Sequence, residues 1–285
     1  MRRLLLQLDA DRHPSAFDRI VAYDAGAEEV LSYGGVSETD VQGLVHGAIF
    51  TRGPKDLKHT ALFVGGSNIP LAEALLKAAR NSFFGPFQTS ILFDPNGSNT
   101  TAAAAVVKLV KAASDLRDKP GIVFAGTGPV GARAAGLLLR LGARVRITSR
   151  EAAHGSEVAA QIGTRFGGTV AASVVRSPEQ ARALLADAAV ALAAGPAGVQ
   201  IVPRDAWIGC PALRAVADVN AVPPAGIEGV EAPDNGAVKD GVACFGALGI
   251  GSLKMKTHKA AVAQLFERND RVLDAEEIYD IAAAL

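Results

Sequence analysis

Residues Gly121-Ile122-Val123-Phe124-Ala125-Gly126-Thr127-Gly128-Pro129-Val130-Gly131 run from a short apolar stretch, through glycines at G-x-G-x-x-G spacing, into a segment rich in alanine and leucine. A strand has to end and a helix has to begin inside this turn, which commits the chain to a βαβ unit. Gly126 and Gly128 let the backbone turn tightly and approach a pyrophosphate, and Gly131 lets the following helix pack closely on the strand. The first N–H groups of a helix lack intrahelical partners, so Thr127, Pro129 and Val130 stand with the glycines where an anion is favoured. The pattern continues as expected of such a unit: Val130 to Leu141 is amphipathic, Gly142 stops the helix, and Ala143 to Thr148 reads as a second strand. A purely structural glycine turn is the alternative, and the complete βαβ setting favours a dinucleotide site over it.

The end of the second strand bears on which dinucleotide is bound. An acidic residue there, about 20 positions beyond the glycines, would hold the 2′-hydroxyl of NAD. The sequence instead reads Ile147-Thr148-Ser149-Arg150-Glu151. A guanidinium at Arg150 suits a 2′-phosphate, which it can bond bidentately, and Ser149 adds a hydroxyl. NADP is therefore the expected cofactor. Glu151 opposes it, because a carboxylate turned inward would repel the phosphate or accept from the NAD ribose, so NAD stays open as a secondary cofactor.

A chain of 285 residues has the length for two domains, and a two-domain α/β chain offers a cleft. The balance of 29 Lys+Arg against 29 Asp+Glu leaves no net field to attract nucleic acid or an anionic membrane. The apolar run after Arg2-Arg3 ends at Asp9, too early for a signal peptide, and a cytoplasmic location is expected. Cys210 and Cys244 are the only cysteines and the five histidines lack metal-ligand spacing, so neither a disulfide framework nor a metal site is expected.

Along the chain, strands are expected at Leu4 to Leu8, Val45 to Thr51, Thr60 to Val64 and Ser90 to Asp94, with helices at Ser15 to Ala25 and Pro70 to Asn81. Pro95-Asn96-Gly97-Ser98 is a turn, followed by a helix over Thr101 to Ser114 that bridges two domains. Beyond the dinucleotide unit the reading gives a helix at Ser156 to Phe166, a strand near Thr169 to Val174 and a helix at Pro178 to Ala186. Strands then follow at Val190 to Ala194 and Arg214 to Val219. Ala194 and Gly195 open a close-approach loop at the carboxyl edge, where nicotinamide sites form, and Asn220 ends the next strand beside it. Helices over Leu253 to Arg268 and Asp274 to Ala283 complete the chain. The expected fold is α/β, with an N-terminal α/β substrate domain (residues 1–100) to which helices 253–285 return at the cleft, and a Rossmann-type parallel-sheet domain for NADP (residues 101–252).

Several segments together carry a more specific resemblance. They are Pro14-Ser15-Ala16-Phe17-Asp18, Tyr23-Asp24, Phe50-Thr51-Arg52-Gly53, Phe63-Val64-Gly65-Gly66, Phe83-Phe84-Gly85-Pro86-Phe87, Asn96 to Ala102, Ala125 to Gly131, Asn220-Ala221, Pro223-Pro224, and Phe245 to Lys254 with His258. In these segments, which span nearly the whole chain in order, the sequence resembles the NADP-dependent methylene-tetrahydromethanopterin dehydrogenases of aerobic C1-metabolising bacteria, some of which also accept methylene-tetrahydrofolate. Within that family, Asp218 to Ile227 is similar to the branch that uses NAD as well as NADP, whereas Asn96 to Thr101 and Phe245 to His258 are similar to the NADP-only branch. The resemblance implies hydride transfer from the one-carbon bridge of a reduced pterin to the nicotinamide, giving the methenyl product. A homo-oligomer is expected, with a small-molecule pterin as the only partner.

That chemistry moves a hydride alone, because the two flanking nitrogens stabilise the cation left behind, so positioning groups are expected rather than an acid/base pair. On the resemblance, Lys254 and His258, four residues apart on one helix face, are the candidate catalytic residues, with a solvated polar stripe as the alternative. Phe17 would stack on the flat pterin, or be core. Asp18 and Asp24 would accept from its amino and amide groups, or be surface carboxylates. Asn99 and Thr100, with Asn96 and Ser98, would form a polar loop at the cleft, or a structural turn. Two other readings compete. A hydroxy- or keto-acid dehydrogenase would need a paired acid and base, which the sequence does not offer, and a non-catalytic NADP-binding protein would have no use for Phe17, Asn99 and Lys254.

Overall fold

In the N-terminal third, short apolar runs alternate with amphipathic stretches, and they fold as β1 (Leu4–Asp9), α1 (Ala16–Asp24), β2 (Glu29–Tyr33), α2 (Glu38–Ile49), β3 (Thr60–Gly65), α3 (Ile69–Asn81) and β4 (Ser90–Phe93), followed by α4 (Ser98–Ala113). The computed structural model describes every residue from Met1 to Leu285. β1, β3 and β4 are apolar along almost their whole length because both faces of a parallel sheet are covered. Gln7 is the polar exception in β1: buried, it donates to Ser15 O at 3.1 Å and accepts from Ser32 Oγ at 2.7 Å. The expected strand at Val45 to Thr51 is instead the last part of α2. Its buried residues Val41, Val45, Ala48 and Ile49 recur at helical spacing, and Asp40 Oδ2 accepts from Ser37 N at 2.9 Å to start the helix.

The chain continues as β5 (Pro120–Phe124), α5 (Pro129–Arg140), β6 (Arg144–Ser149), α6 (Ala152–Phe166), β7 (Ala171–Val174), α7 (Pro178–Leu185), β8 (Val190–Ala193), α8 (Arg204–Trp207), β9 (Ala215–Asp218), β10 (Asn235–Lys239), β11 (Val242–Phe245) and α9 (Ala247–Gln264). These strands form one sheet in the order β10-β11-β9-β8-β5-β6-β7, parallel except for the β10–β11 hairpin. From β5 the chain winds outward through β6 and β7, then returns to β8 on the other side. The strand order therefore reverses between β5 and β8, and in doubly wound sheets ligands bind at the carboxyl ends beside such a reversal. The hairpin was not foreseen, although Asp240-Gly241 between Val238 and Val242 is a strong hairpin signal, and both turn residues take the positive φ that such a turn needs.

The chain ends with β12 (Val272–Leu273) and α10 (Ala275–Ala283). β12 pairs with β4 and completes a five-stranded parallel sheet, β12-β4-β3-β1-β2. Two compact units result, Met1–Thr100 with Met255–Leu285, and Thr101–Lys254, the chain passing between them inside α4 and again inside α9. No helix is long and apolar enough to cross a membrane.

The start of α4 is anchored by Asp94, which is fully buried after β4. Its carboxylate accepts from Asn99 N at 2.8 Å, Thr100 N at 3.1 Å and Thr100 Oγ1 at 2.6 Å, so helix N–H groups that would lack partners are satisfied by a negative charge. Removing that carboxylate leaves buried donors unmet. Asp94→Ala should lower unfolding stability by about 2 kcal/mol or more, read from urea midpoints, and Asp94→Asn by less; an unchanged midpoint for the alanine variant would contradict the anchoring role.

Candidate functional site

β5 ends in a turn whose strained residue is an alanine. Ala125 takes φ 51°, in the left-handed region that disfavours a side chain. The turn is fastened to the neighbouring strand by Thr148, whose Oγ1 accepts from Ala125 N and whose backbone O accepts from Gly126 N, both at 3.0 Å. The glycines divide the work differently from the expectation. A Cβ on Gly126 would lie 2.7 Å from Ile147 Cβ, and one on Gly131 would lie 2.8 Å from Gly126 Cα, so both are small because helix and strands meet there. A Cβ on Gly128 would approach only Ala125 O, at 4.0 Å. Gly128 is extended, at φ −78°, so neither conformation nor packing requires a glycine. What it keeps clear is the space before the α5 N-terminus, where Pro129 and Val130 are the first helical residues.

That space opens into a cavity of about 870 Å³ within the second unit. Of the residues expected to meet a dinucleotide, it brings together Thr127 and Gly128 from the turn, Ser149 and Arg150 from the end of β6, and Ala194 and Gly195 from the end of β8. Glu151 also lines it. Gly126, Pro129, Val130, Gly131 and Asn220 do not line it. The polar lining residues His154, in the first turn of α6, and Arg176 and Ser177, between β7 and α7, are among those that escaped the sequence reading.

Asn220 was expected to touch the cofactor and instead holds a loop that does line the cavity. Its Oδ1 accepts from Val222 N at 2.9 Å and Gly198 N at 3.4 Å, and its Nδ2 donates to Pro224 O at 3.0 Å. The far end of the same loop is tied where Ile201 N and Val202 N both donate to Gly226 O, at 2.8 and 2.9 Å. Beneath these ties lies Asp218, accepting from Asn220 N and Ile227 N at 2.9 Å each. Burial pushes its carboxyl above the ordinary carboxylate range, and the N–H groups of Ile227, Asn220 and Gly226 pull it back.

In the first unit, Phe17, Asp18 and Phe63 gather around His258. His258 is fully buried, its ring stacked on Phe63 at 5.9 Å with 15° between planes, and its Nε2 is 4.0 Å from Asp18 Oδ1. Phe17, 48% exposed, lies 6.3 Å from the His258 ring. His258, expected to hydrogen-bond the substrate, has no exposed surface in this structure. Lys254 sits four residues earlier on α9 and is half-buried. The other expected substrate contacts are engaged elsewhere. Asn99 Nδ2 donates to Phe93 O at 2.7 Å and to Asp274 Oδ1 at 2.9 Å, tying the end of β4 to the residue before α10, and Thr100 is bound to Asp94 at the α4 start. Asp24 forms an exposed ion pair with Lys259 at 2.8 Å. Nucleophilic thiol chemistry is disfavoured as well: both cysteines are buried, and burial pushes Cys244 up to about 11.

Residues 16–96 match the family described as methylene-tetrahydromethanopterin dehydrogenase, N-terminal. Over its full length the chain is 43% identical to the "Bifunctional protein MdtA" of Methylorubrum extorquens, across 282 residues that cover 99% of this chain and 98% of that one. It is 36% identical to the NAD(P)-dependent methylenetetrahydromethanopterin dehydrogenase of the same organism, covering 100% of this chain and 99% of the relative. The chain belongs to the methylene-tetrahydromethanopterin dehydrogenase family. The fold of this family member is shared more widely: a shikimate 5-dehydrogenase from Listeria monocytogenes superposes with a TM-score of 0.53 at 14% identity, covering 98% of this chain and 96% of that one.

The division of labour among the glycines can be tested directly. Gly126→Ala should cost stability, about 1–3 kcal/mol for a Cβ forced against a packed strand. Gly128→Val should leave the unfolding midpoint within about 1 kcal/mol of wild type and still abolish NADP binding measured by calorimetry. Undiminished NADP affinity in Gly128→Val would show that nothing approaches that backbone.

Proposed function

We propose that this chain is a C1-metabolism oxidoreductase that transfers a hydride from the methylene bridge of methylene-tetrahydromethanopterin to NADP, leaving the methenyl pterin. The observation that carries the cofactor half of this reading is the cavity before the α5 N-terminus, where Gly128 faces open space and Arg150 stands at the end of β6. Family membership carries the pterin half. In this reading the first unit holds the pterin and the second holds the dinucleotide, with NAD as a weaker alternative because Glu151 shares the cavity with Arg150.

The bound nicotinamide supplies the hydride acceptor. The protein's own groups have no proton to move at the reacting carbon, since the flanking nitrogens carry the positive charge that develops there. Their work is to place the carbon at near-attack distance, keep water out and set the local field. Phe17 offers an exposed aromatic face for a flat ring. Asp18 offers a carboxylate to the N–H groups of the pterin, with the His258 ring, stacked on Phe63, 4.0 Å from it. Lys254 orients the reduced pterin through its oxygen or ring nitrogens.

Lys254→Ala should lower kcat/KM by about 10²-fold, on the order of 3 kcal/mol, while NADP affinity stays near wild type. Deuterium on the methylene carbon should slow the chemical step and solvent deuterium should not, assayed by nicotinamide absorbance with methylene-tetrahydromethanopterin and methylene-tetrahydrofolate in parallel. Wild-type kcat/KM in the variant would return Lys254 to the solvated helix face. A large solvent isotope effect would require a proton-transfer group that the reading lacks, and no turnover with either carrier would overturn the assignment of substrate.

A further inference from the structure

Arg150 alone is a weak basis for choosing a phosphorylated ribose. Glu151 lines the same cavity and offsets its charge, while a phosphate monoester at neutral pH carries between one and two negative charges. The cavity holds a second guanidinium, Arg176. β6 and β7 are adjacent parallel strands in register, Ser149 opposite Val174, so the residues that follow them leave the sheet side by side. Arg150 is one residue beyond the end of β6 and Arg176 two beyond the end of β7.

The backbone at Arg176 is held in place before any ligand arrives. Its N–H donates to Gln180 Oε1 at 2.7 Å, while Gln180 N donates to Ser177 Oγ at 3.3 Å, a reciprocal pair of bonds that closes the start of α7. A guanidinium on a fixed stem loses less freedom when it binds, and its planar fork matches a phosphate.

We infer that Arg176 is the second cation of the 2′-phosphate subsite and shares with Arg150 the selection of NADP over NAD. This rests on the NADP reading above and adds a residue to it. With both arginines present the lining keeps a net positive charge despite Glu151, and the subsite has two forks for one phosphate.

Calorimetry with the fragments 2′,5′-ADP and 5′-AMP, which lack the nicotinamide and differ only in the 2′-phosphate, separates this inference from the reading it rests on. Wild type should bind 2′,5′-ADP the more tightly. Arg176→Ala should reduce that preference roughly ten- to a hundredfold, with 5′-AMP affinity and the thermal unfolding midpoint unchanged. Arg176→Lys should retain part of the preference, and Glu151→Gln should increase it. If wild type shows no preference for 2′,5′-ADP, the NADP reading fails and the inference with it. If wild type shows the preference, Arg150→Ala removes it and Arg176→Ala keeps it, the reading stands and the inference is overturned. Equal loss of both fragments in Arg176→Ala would assign the side chain to the adenosine instead, which also overturns it.

Discussion

The close meeting of helix and strand at Gly126 and Gly131 is the constraint on which the cofactor half of the molecule depends. With Gly131 nearly touching the Gly126 backbone, and Gly126 against Ile147, α5 starts directly above β5 and β6. The N-terminus of α5 is then fixed at the carboxyl edge of the sheet, where the strand order reverses. Thr148 completes the arrangement from the neighbouring strand by bonding the two N–H groups of the turn. Those bonds offset the cost, of order 1–3 kcal/mol, of holding Ala125 at positive φ. Strain of this kind persists only where its surroundings over-determine it, and here they also aim a helix end at open space.

The same economy governs the buried polar groups. Asp94, Asp218 and Gln7 are almost wholly removed from water, and each has backbone or hydroxyl partners that satisfy it. Each also stands just before a loop or helix start that must hold its place: Asp94 fixes α4, Asp218 with Asn220 fixes the loops beside Gly195, and Gln7 joins β1 to the α1 entry and to β2. A buried carboxylate is costly unless paired, which makes such groups stiff fastenings once they are paired.

The alternation of strands and helices was readable because the apolar period changes so plainly along the chain, and the dinucleotide turn because its glycines follow steric rules. The errors have equally physical causes. Val45 to Ile49 looks like a strand when viewed as a short apolar run, and only the link back to Val41 shows the helical period. β2, with the sequence EVLSY, is an edge strand covered on part of its surface, so its pattern is weak. Asn99 and Thr100 have the side chains of ligand-binding residues, but polar groups that cap a helix look the same in a sequence, and the distinction needs the position of Asp94. Arg176 was invisible for a different reason. The fingerprint points to the end of the second strand, and nothing local to Arg176 shows that β7 lies beside β6 in register.

The types of residue assembled here agree with the chemistry asked of them. Hydride removal from a carbon between two nitrogens gives a cation without a proton transfer, so a matched acid and base has no task. The first-unit cluster is an exposed aromatic ring and a buried carboxylate around a fully buried histidine. The histidine ring is itself fixed by its stack on Phe63. The second-unit cavity likewise gathers fixed elements: Gly128 before the α5 N-terminus, Arg150 and Arg176, and a loop tied down by Asn220 and Gly226. Geometry of this kind favours a reaction whose barrier depends on distance and field.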